Sequence, residues 1–449
     1  MTRPGFFDPV GFFLAFSSMI NQDYSRYLAE MFSLRRYGII LGLDVVETLL
    51  GRLGNPQTRF CAIHIAGTNG KGSVAAALAT ILQEAGFSVG LYTSPHLVRF
   101  NERIRINGRD VSDAEVVSAY KAVRAVQGET REPTFFEYTT AMAFDIFGKA
   151  GVDWAVIETG MGGRLDATNI LCPRVSIITN ISLEHRMYLG NTIAAIAGEK
   201  GGIIKPGTPV VTGVTQKSAI KTLEAIAAEK SAPLYRLGRD FHIRRNRNNG
   251  FTYAGIANHW TDMQTCLAGA HQFSNAAITL AACEILIQQQ VPLDITAVKK
   301  GLATVKWPGR LEIRNTTPPV IIDGAHNLMA ARHLARFLAR ELSDRPITLV
   351  IGILDDKPYG AMLRTLLPCA SRIIVTQPVI DRALPVEKLR KAASAMGHDV
   401  EAIQDVASAV LCACDTTPPE GAVCIAGSLY VVGEAMQALN ARDIREHDR

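Results

Sequence analysis

His-Ile-Ala-Gly-Thr-Asn-Gly-Lys-Gly-Ser occupies residues 64–73, between an apolar run and an alanine-rich run. The run from Phe60 to Ala66 predicts a buried strand, and the run from Ser73 to Ala85, stopped by Gly86, predicts a helix. Ser88 to Thr93 predicts the next strand, which completes one βαβ unit. This part of the chain therefore predicts a layered α/β fold with a largely parallel sheet.

The glycine-rich turn has the composition of a phosphate-binding loop. Its glycines let backbone N–H groups close around phosphate oxygens, and the helix N-terminus adds positive potential. Lys71 supplies a mobile cation, and Ser73 supplies a hydroxyl for a helix cap or a metal. The spacing departs from GxxxxGK(S/T), because Gly67 stands three residues before Gly70 and Gly72 separates Lys71 from Ser73. A structural glycine-rich turn without a nucleotide is the alternative.

Length and composition indicate a globular protein of two domains. The chain has 449 residues, of which 48% are apolar and 20% charged, and this length exceeds what one hydrophobic core usually serves. Its net charge of +5 is spread without a long lysine or arginine run, so nucleic acid is not an expected partner. A mild positive charge suits anionic small molecules, although a merely soluble surface explains it equally well.

The cysteines and the N-terminus bear on the compartment. The eight cysteines have neither a metal-binding nor a disulfide spacing, which favours a reducing cytoplasm. The apolar stretch from Val10 to Ile20 is too short to span a bilayer, and Asp8 interrupts a signal-peptide pattern. We therefore expect no membrane partner and an N-terminal extension that packs on the body.

Two domains are expected, residues 1–306 and residues 307–449. The Thr-Thr-Pro-Pro stretch at 316–319 interrupts regular structure shortly after Trp307, and a polar stretch from Arg244 to Gly255 predicts a surface hairpin or loop. Further strands are expected at Trp154 to Glu158, Val175 to Asn180, Pro209 to Thr212, Val320 to Asp323, Ile347 to Gly352, Ser371 to Thr376 and Ala422 to Ala426, with a helix from Met329 to Leu342.

A series of ordered motifs resembles one protein family. The string at 64–73 resembles the phosphate loop of the Mur ligase superfamily and is most similar to its folylpolyglutamate synthase and dihydrofolate synthase branch. The other motifs are TSPHL at 93–97, NERIR at 101–105, FFE at 135–137, ETGMGGRLDATN at 158–169, LEH at 183–185, EK at 199–200, HQFSNAA at 271–277, WPGRLE at 307–312 and DGAHN at 323–327. The resemblance implies a P-loop-containing, Mur-ligase-like ATPase domain and a smaller, Rossmann-like C-terminal domain.

The resemblance also implies the activity. Such ligases join L-glutamate to dihydropteroate, or to the γ-carboxylate of a reduced folate, and use ATP and Mg²⁺. An unactivated carboxylate does not condense with an amine in water, so ATP must first convert it to an acyl phosphate, which calls for a phosphate-binding loop, metal ions and cationic side chains. K⁺ or another monovalent cation, a carbamylated Lys200 and a monomeric state are further expectations.

The strand pattern places two candidate site residues at one sheet edge. Glu158 ends a predicted strand and His185 follows the end of another, so both should project where α/β folds bind ligands. By resemblance, Ser94, Glu158 and His185 would hold metal ions. The residues with an implied catalytic role are Lys71, His185, Lys200, Arg310, Asp323 and His326. The residues with an implied nucleotide-binding role are Gly67, Thr68, Asn69, Gly70, Lys71, Gly72, Ser73, Asn275, Arg310 and Asp323.

The resemblance assigns the remaining substrate contacts to Arg103, Phe136, Glu137, Asp166 and His326. Plain structural roles are the alternatives: a capping or salt-bridged Glu158, a hydrogen-bonded His185, a surface Lys200, a core Phe136 and a helix-capping Asp323. Arg310 follows Pro308-Gly309 at the expected domain junction, so a hinge rotation could bring its guanidinium onto the phosphates.

Two departures from the family pattern leave questions open. Glu184 and Arg186 flank the expected metal histidine where the family often has Asp and a small polar residue, and Leu328-Met329 follows DGAHN where it commonly has Pro. A cell-wall ligase of the same superfamily is one alternative, although about sixty residues before the phosphate loop leave little room for its substrate domain. A nucleotide-binding sensor without catalysis is another. Whether one or both folate activities are present stays open.

Overall fold

The computed structural model describes residues 22–34, 40–128, 131–246 and 250–447, with side chains described up to residue 444. The apolar stretch from Val10 to Ile20 lies outside these residues. The described chain contains an eight-stranded sheet, a three-stranded sheet and a six-stranded sheet. None of its helices combines the length and the apolar character needed to cross a bilayer.

The eight-stranded sheet forms the first lobe, with the strand order β4-β3-β2-β5-β1-β6-β7-β8. All neighbouring strands are parallel except β2–β3 and β3–β4, which are antiparallel. The strands are β1 Cys61–Ala66, β2 Val89–Tyr92, β3 Ile104–Ile106, β4 Arg109–Asp110, β5 Trp154–Glu158, β6 Val175–Ile178, β7 Val210–Thr212 and β8 Leu234–Arg236. The central β1 lies between β5 and β6, so loops that follow these three strands converge at one edge.

Helices cover both faces of this sheet because its central strands are apolar on both sides. Ile63 and Ile65 pack against α3 and α9, whereas Ala62 and Ile157 face the α2, α4 and α5 side. The helices of this lobe are α1 at residues 22–33, α2 Asp44–Arg52, α3 Lys71–Glu84, α4 Asp113–Ala125, α5 Phe135–Ala150, α6 Arg186–Leu189, α7 Ile193–Gly201, α8 Lys217–Glu229, α9 Ala270–Gln288 and α10 Ile295–Thr304.

The three-stranded antiparallel sheet contains the predicted polar hairpin. Its strands are β9 His242–Arg245, β10 Phe251–Ala254 and β11 His259–Met263. The hairpin is confirmed, but Phe251 and Tyr253 are buried against the core of the first lobe, so it is not wholly a surface element. Glu284 of α9 accepts hydrogen bonds from the Tyr253 hydroxyl and the Ile256 N–H, which fixes the sheet to the helix.

The six-stranded sheet forms the second lobe, with the order β12-β13-β17-β14-β15-β16. Its strands are β12 Glu312–Arg314, β13 Val320–Ile322, β14 Ile347–Ile351, β15 Arg372–Val375, β16 Glu401–Ala402 and β17 Ala422–Ala426. All pairs are parallel except β12–β13. Its helices are α11 Leu328–Glu341, α12 Tyr359–Leu366, α13 Val386–Ser394, α14 Val406–Thr416 and α15 Leu429–His447. Short 3₁₀ turns lie at Pro56–Thr58, Phe100–Arg103, Ala167–Ile170 and Leu367–Cys369.

The start of α3 differs from the sequence-based prediction. The helix begins at Lys71 and not at Ser73, because Gly70 adopts a left-handed conformation (φ 85°) that turns the chain directly into the helix. Trp307, where the second domain was expected to begin, packs on the phosphate loop. A Cβ added to Gly72 would lie 2.8 Å from Trp307 Cζ2, so the extra glycine after Lys71 makes room for the indole.

Candidate active site

The phosphate loop is held rigidly at the carboxyl end of β1. The Thr68 N–H donates to the Asn180 carbonyl (2.9 Å), and the Asn69 N–H donates to Asn180 Oδ1 (3.0 Å). Gly67 adopts φ 152° and passes so close to Thr179 that any side chain would collide with it. Within α3 the Val74 N–H bonds back to Gly70 (3.0 Å), so the N–H groups before it have no acceptor inside the helix. This geometry suits an anion at the N-terminus of α3.

Lys71 and Glu158 form the centre of the site. Lys71 Nζ lies 3.5 Å from Glu158 Oε1, and the Ser94 N–H donates to Glu158 Oε2 (3.2 Å). Glu158 is only 5% exposed. Burial raises the pKa of its carboxyl, while Lys71, the Ser94 N–H and Arg310 oppose that rise. The end of β5 therefore presents a buried carboxylate to the phosphate loop.

Lys200 and His185 lie beside this pair. Lys200, on α7, is 4% exposed and donates from Nζ to the Gly67 carbonyl (2.8 Å). Burial, together with the charge of Lys71, lowers the pKa of Lys200 to about 7. His185 adopts a left-handed conformation (φ 51°) at the start of α6, and burial lowers the pKa of its imidazole to about 4. At neutral pH the imidazole is therefore uncharged, as a metal ligand must be.

The second lobe contributes Arg310 and Asp323. Asp323 follows β13, and its Oδ2 accepts the Leu311 N–H (2.8 Å), which holds the residue next to Arg310. Burial lowers the pKa of Arg310, and the charges of Asp323 and Glu158 oppose this. Burial raises the pKa of Asp323, opposed first by Arg310. The guanidinium thus lies near carboxylates from both lobes.

Glu184 connects the lobes. Its Oε1 lies 3.5 Å from His326 Nε2 and 3.3 Å from Lys357 Nζ, both in the second lobe. Burial alone would raise the pKa of Glu184, but the hydrogen bond and charge of His326 and the charges of Lys357 and His185 lower it well below its usual range. The Nδ1 of His326 bonds to the Gly324 carbonyl (2.8 Å), which orients the ring.

Polar side chains of α9 line the other end of the cleft. Asn275 Nδ2 donates to Gln272 Oε1 (2.8 Å), and Gln272 Nε2 donates to Ser73 Oγ (3.3 Å). His271 faces His333 of α11 with ring centroids 4.9 Å apart. Burial lowers the pKa of His271 to about 4, and His333 adds to this. A Cβ on Gly70 would lie 2.6 Å from Asn275 Oδ1, so the loop and α9 are in close contact.

Most of the predicted site residues meet in one cleft between the lobes. Those that line it are Gly67, Thr68, Asn69, Gly70, Lys71, Gly72, Ser73, Ser94, Glu158, His185, Lys200, Asn275, Arg310, Asp323 and His326. The remaining four, Arg103, Phe136, Glu137 and Asp166, lie outside its lining. Phe136 lies directly behind the lining, because a Cβ on Gly160, which lines the cleft, would touch its ring at 2.5 Å.

The other three predicted substrate residues have structural partners. Asp166 caps a 3₁₀ turn and accepts hydrogen bonds from the Met161 N–H (2.9 Å) and the Thr168 hydroxyl (2.6 Å). Glu137 completes a capping box at the start of α5 and pairs with Arg131 (2.6 Å). Arg103 donates from Nε to His96 Nδ1 (2.8 Å). These contacts shape the wall beside the cleft.

Several cleft residues received no role from the sequence. Glu184, Gln272, His271 and His333 line the cleft. Asn327 and Lys357 lie beside it, in contact with Glu184. Lys357 had a signal, because it follows β14 and residues after parallel strands gather at the site edge. Glu184 and Asn327 had the same signal, because they follow β6 and β13 and lie in the LEH and DGAHN motifs, but their partners in the other lobe could not be predicted.

Domain matches define the class of protein. Residues 65–283 match the Mur ligase middle domain, and residues 309–429 match the glutamate ligase domain of Mur ligases. The cleft lies between these two regions and takes residues from both.

Relatives define the family more closely. The folylpolyglutamate synthase of Lacticaseibacillus casei is 39% identical over 429 residues, covering 93% of this chain and 99% of the relative. The dihydrofolate synthase/folylpolyglutamate synthase of Escherichia coli is 32% identical over 418 residues, covering 93% and 96%. The chain belongs to the folylpolyglutamate synthase and dihydrofolate synthase family of Mur ligases, which are ATP-dependent ligases that form amide bonds.

Solved structures agree with this assignment. E. coli FolC in complex with DHPP and ADP has a TM-score of 0.86 at 29% identity, covering 93% of this chain and 98% of that one. The Yersinia pestis bifunctional enzyme complexed with AMPPNP and Mn ion has a TM-score of 0.85 at 31% identity, with the same coverage. The α/β expectation is confirmed, and the cell-wall alternative is wrong, because the relatives that match almost end to end are folate ligases.

Proposed function

We propose that this chain joins L-glutamate to dihydropteroate, to the γ-carboxylate of reduced folates, or to both, with ATP consumed to form an acyl phosphate. The observation that carries the proposal is the single cleft in which Lys71, Glu158 and Lys200 of the first lobe face Arg310 of the second. Positive charge there can neutralise a transferring phosphoryl group, and the two lobes together enclose it. Family membership supports the choice of substrates.

The reaction has two balanced steps. A carboxylate oxygen of the acceptor attacks the γ-phosphorus of ATP, the bond to the ADP oxygen breaks, and an acyl phosphate forms. The glutamate nitrogen then attacks the acyl carbon, phosphate leaves with the C–O electron pair, and the nitrogen loses a proton. In both steps the loop N–H groups and Lys71 hold the phosphates in place, and Arg310 stabilises the charge that moves onto the transferred group.

The residues at the end of β5 and after β6 fit a divalent cation. Glu158 is a buried carboxylate beside Ser94, and a neutral His185 offers a ring nitrogen. In the described part of the chain no three His, Cys, Asp or Glu side chains converge on one point, so water and phosphate oxygens would complete the coordination, as Mg²⁺ prefers. A bound Mg²⁺ supplies charge neutralisation for the phosphates. Mn ion in the Y. pestis complex supports this.

We propose that Lys200 is carbamylated. A neutral amine attacks carbon dioxide, the new N–C bond forms and one proton is released, so the site must favour an uncharged lysine. Burial and Lys71 lower the pKa of Lys200 to about 7, which supplies that condition. Intact-protein mass spectrometry in bicarbonate should show the added mass of one carbon dioxide, which Lys200→Ala should abolish. An unmodified lysine in a fully active preparation would refute it.

For the aromatic end of the substrate we propose the wall formed by Phe136, Gly160 and Met161. The Phe136 ring contacts Gly160, and the Asp166 carboxylate accepts the Met161 N–H, so both side chains support this wall. Arg103 and Glu137 act further back, where they hold His96 and the start of α5. We propose that His326, which lies beside Glu184 and lines the cleft, contacts the incoming glutamate.

Paired assays test the proposed function and separate it from a sensor. Purified protein receives ATP, Mg²⁺ and labelled glutamate with either dihydropteroate or tetrahydrofolate, and phosphate and labelled product are measured. Phosphate release should require both glutamate and the pteroyl acid. Activity with only one of the two acids would establish a single function. If neither acid gave glutamate-dependent phosphate release, the sensor would be favoured. Replacement of K⁺ by Li⁺ in the same assay tests the proposed monovalent cation.

We also propose a cytoplasmic monomer. The eight cysteines have no disulfide spacing in the sequence, as a reducing compartment favours. Light scattering after size exclusion should give the mass of one chain, and a dimer at assay concentration would contradict this.

A further inference from the structure

The side chain of Asn327 lies where three functional elements meet. Its Oδ1 accepts the Ala330 N–H (2.9 Å) and so caps α11. Its Nδ2 donates to Oδ1 of Asn69 in the phosphate loop (2.9 Å) and reaches Glu184 Oε2 (3.4 Å). One amide therefore connects the first turn of α11, in the second lobe, with the phosphate loop and the inter-lobe carboxylate of the first.

The orientation of this amide follows from its partners. The Ala330 N–H requires an acceptor, so the oxygen of Asn327 must face the helix and its NH₂ must face Asn69 and Glu184. Asn69 Nδ2 in turn donates a longer hydrogen bond to Asn327 Oδ1 (3.4 Å). The two amides thus pair reciprocally across the lobe boundary, and Asn327 is buried.

The backbone of Asn69 is held by three hydrogen bonds. The carbonyl of Asn69 accepts hydrogen bonds from Thr179 Oγ1 (2.7 Å) and Asn180 Nδ2 (2.7 Å), and its N–H donates to Asn180 Oδ1 (3.0 Å). A rigid loop on one side and a helix terminus on the other make the amide pair a fixed point for the second lobe.

We propose that Asn327 is a positioning residue that sets the place of α11 and of its neighbour His326 relative to the nucleotide-binding loop. The inference rests on the proposed function, since it concerns how the second lobe, which would bind glutamate, is positioned against the first lobe, which holds the phosphate loop. Nucleotide bound to the loop fixes Asn69, and Asn69 fixes the α11 terminus through Asn327. Without this contact, kcat/KM for glutamate falls, while the affinity for the nucleotide is retained.

Two substitutions separate this role from helix capping. Asn327→Asp keeps an oxygen for the Ala330 N–H, removes the donor and places a carboxylate near Glu184. Asn327→Ser also keeps a capping oxygen but is too short to reach Asn69, and it adds no charge. Asp405→Ala is the control, because it removes the cap of α14, where Asp405 Oδ2 accepts the Ser408 N–H (2.7 Å), outside the cleft.

Both Asn327 variants should lower kcat/KM for glutamate by roughly tenfold or more, the loss expected for a buried hydrogen bond. Affinity for a non-hydrolysable ATP analogue should change by less than about threefold. Asp405→Ala should lose stability and keep its KM for glutamate. The proposal is overturned if both Asn327 variants keep kcat/KM for glutamate, or if ATP-analogue affinity falls as much as glutamate efficiency does.

Hydrogen exchange gives a readout that does not need catalysis. The ATP analogue should slow amide exchange at residues 328–331 in the wild-type chain, and Asn327→Ser should remove that effect. An equal nucleotide effect in the variant would overturn the proposal. If the wild-type chain released no glutamate-dependent phosphate but the exchange result held, the proposed function would fail while the positioning role stood.

Discussion

Lys71 Nζ lies 3.5 Å from Glu158 Oε1, and both side chains are largely buried at the carboxyl edge of the first sheet. The pair joins the phosphate loop to the end of β5. A buried carboxylate without its lysine, or the lysine without its carboxylate, would be an uncompensated charge. The site therefore holds opposite charges close together before any nucleotide enters.

Glu158→Gln tests the role of the carboxylate. The amide keeps the shape of the side chain but cannot donate negative charge to a metal, so glutamate-dependent phosphate release should fall at least about 100-fold. Because the amide leaves the largely buried Lys71 without its counter-charge, the variant should also lose stability. Phosphate assays and thermal unfolding measure the two effects.

Lys230→Met provides the control for this experiment. Lys230 pairs with Glu229 at 2.8 Å, but both side chains are exposed, and such pairs contribute little. The activity of Lys230→Met should match that of the wild type. Full activity of Glu158→Gln would remove Glu158 from the mechanism.

Gly72→Ala should destabilise the chain by about 1–3 kcal/mol, because the new Cβ would lie 2.8 Å from Trp307 Cζ2 in a packed contact between the phosphate loop and the lobe junction. Urea unfolding measures this. Gly198→Ala is the matched control, since Gly198 lies inside α7 with nothing within 4 Å of the added Cβ. That variant should gain about 0.5–1 kcal/mol. Equal effects at the two glycines would contradict the role assigned to Trp307.

His64 should make the protein sensitive to mild acid. It is buried on β1, its Nε2 lies 2.8 Å from Thr168 Oγ1, and its Nδ1 has no hydrogen-bond partner among the described residues. Burial lowers the pKa of its imidazole to about 3. The unfolded chain takes up a proton near pH 6.5, so stability falls as the pH drops below 6.5 and continues to fall towards 3.

His64→Gln should therefore lose less stability between pH 7 and pH 5 than the wild type, by about 2 kcal/mol. Glutamine can still donate to Thr168, and slopes are compared so that any constant cost of the substitution cancels. His242→Gln, at an exposed position of β9, should leave the slope unchanged. Parallel slopes for wild type and His64→Gln would contradict the prediction.

Glu184 and Lys357 should be energetically coupled across the lobes. Their charged atoms are 3.3 Å apart and each side chain is 10% exposed. A double-mutant cycle with Glu184→Gln and Lys357→Met should give a coupling of about 1–3 kcal/mol in chemical unfolding. The pair of Lys300 and Glu84, 2.6 Å apart, is more exposed, at 64% and 25%, and should give a much smaller coupling. Simple additivity at Glu184 and Lys357 would show that the inter-lobe contact contributes nothing.

Strand ends were predictable because parallel strands carry their ligands at one edge. The pattern around β5 indicated that Glu158 would face the phosphate loop, and the structure places them together. The exact first residue of α3 was not predictable, because the left-handed conformation of Gly70 determines where the helix begins, and the spacing of apolar residues does not reveal it. The burial of Phe251 and Tyr253 was also missed, since a polar hairpin gives no sign of the helix it packs against.

By itself the sequence determined the α/β class, the phosphate loop and the order of the family motifs, because periodicity and glycine placement are local properties. Only the tertiary structure decided that Glu184 would contact His326 and Lys357, that Asn69 would pair with Asn327, and that Trp307 would rest on Gly72. These contacts join residues that are far apart in the chain. Their distances, burial and charge depend on how the two lobes pack against each other, which the local sequence pattern does not specify.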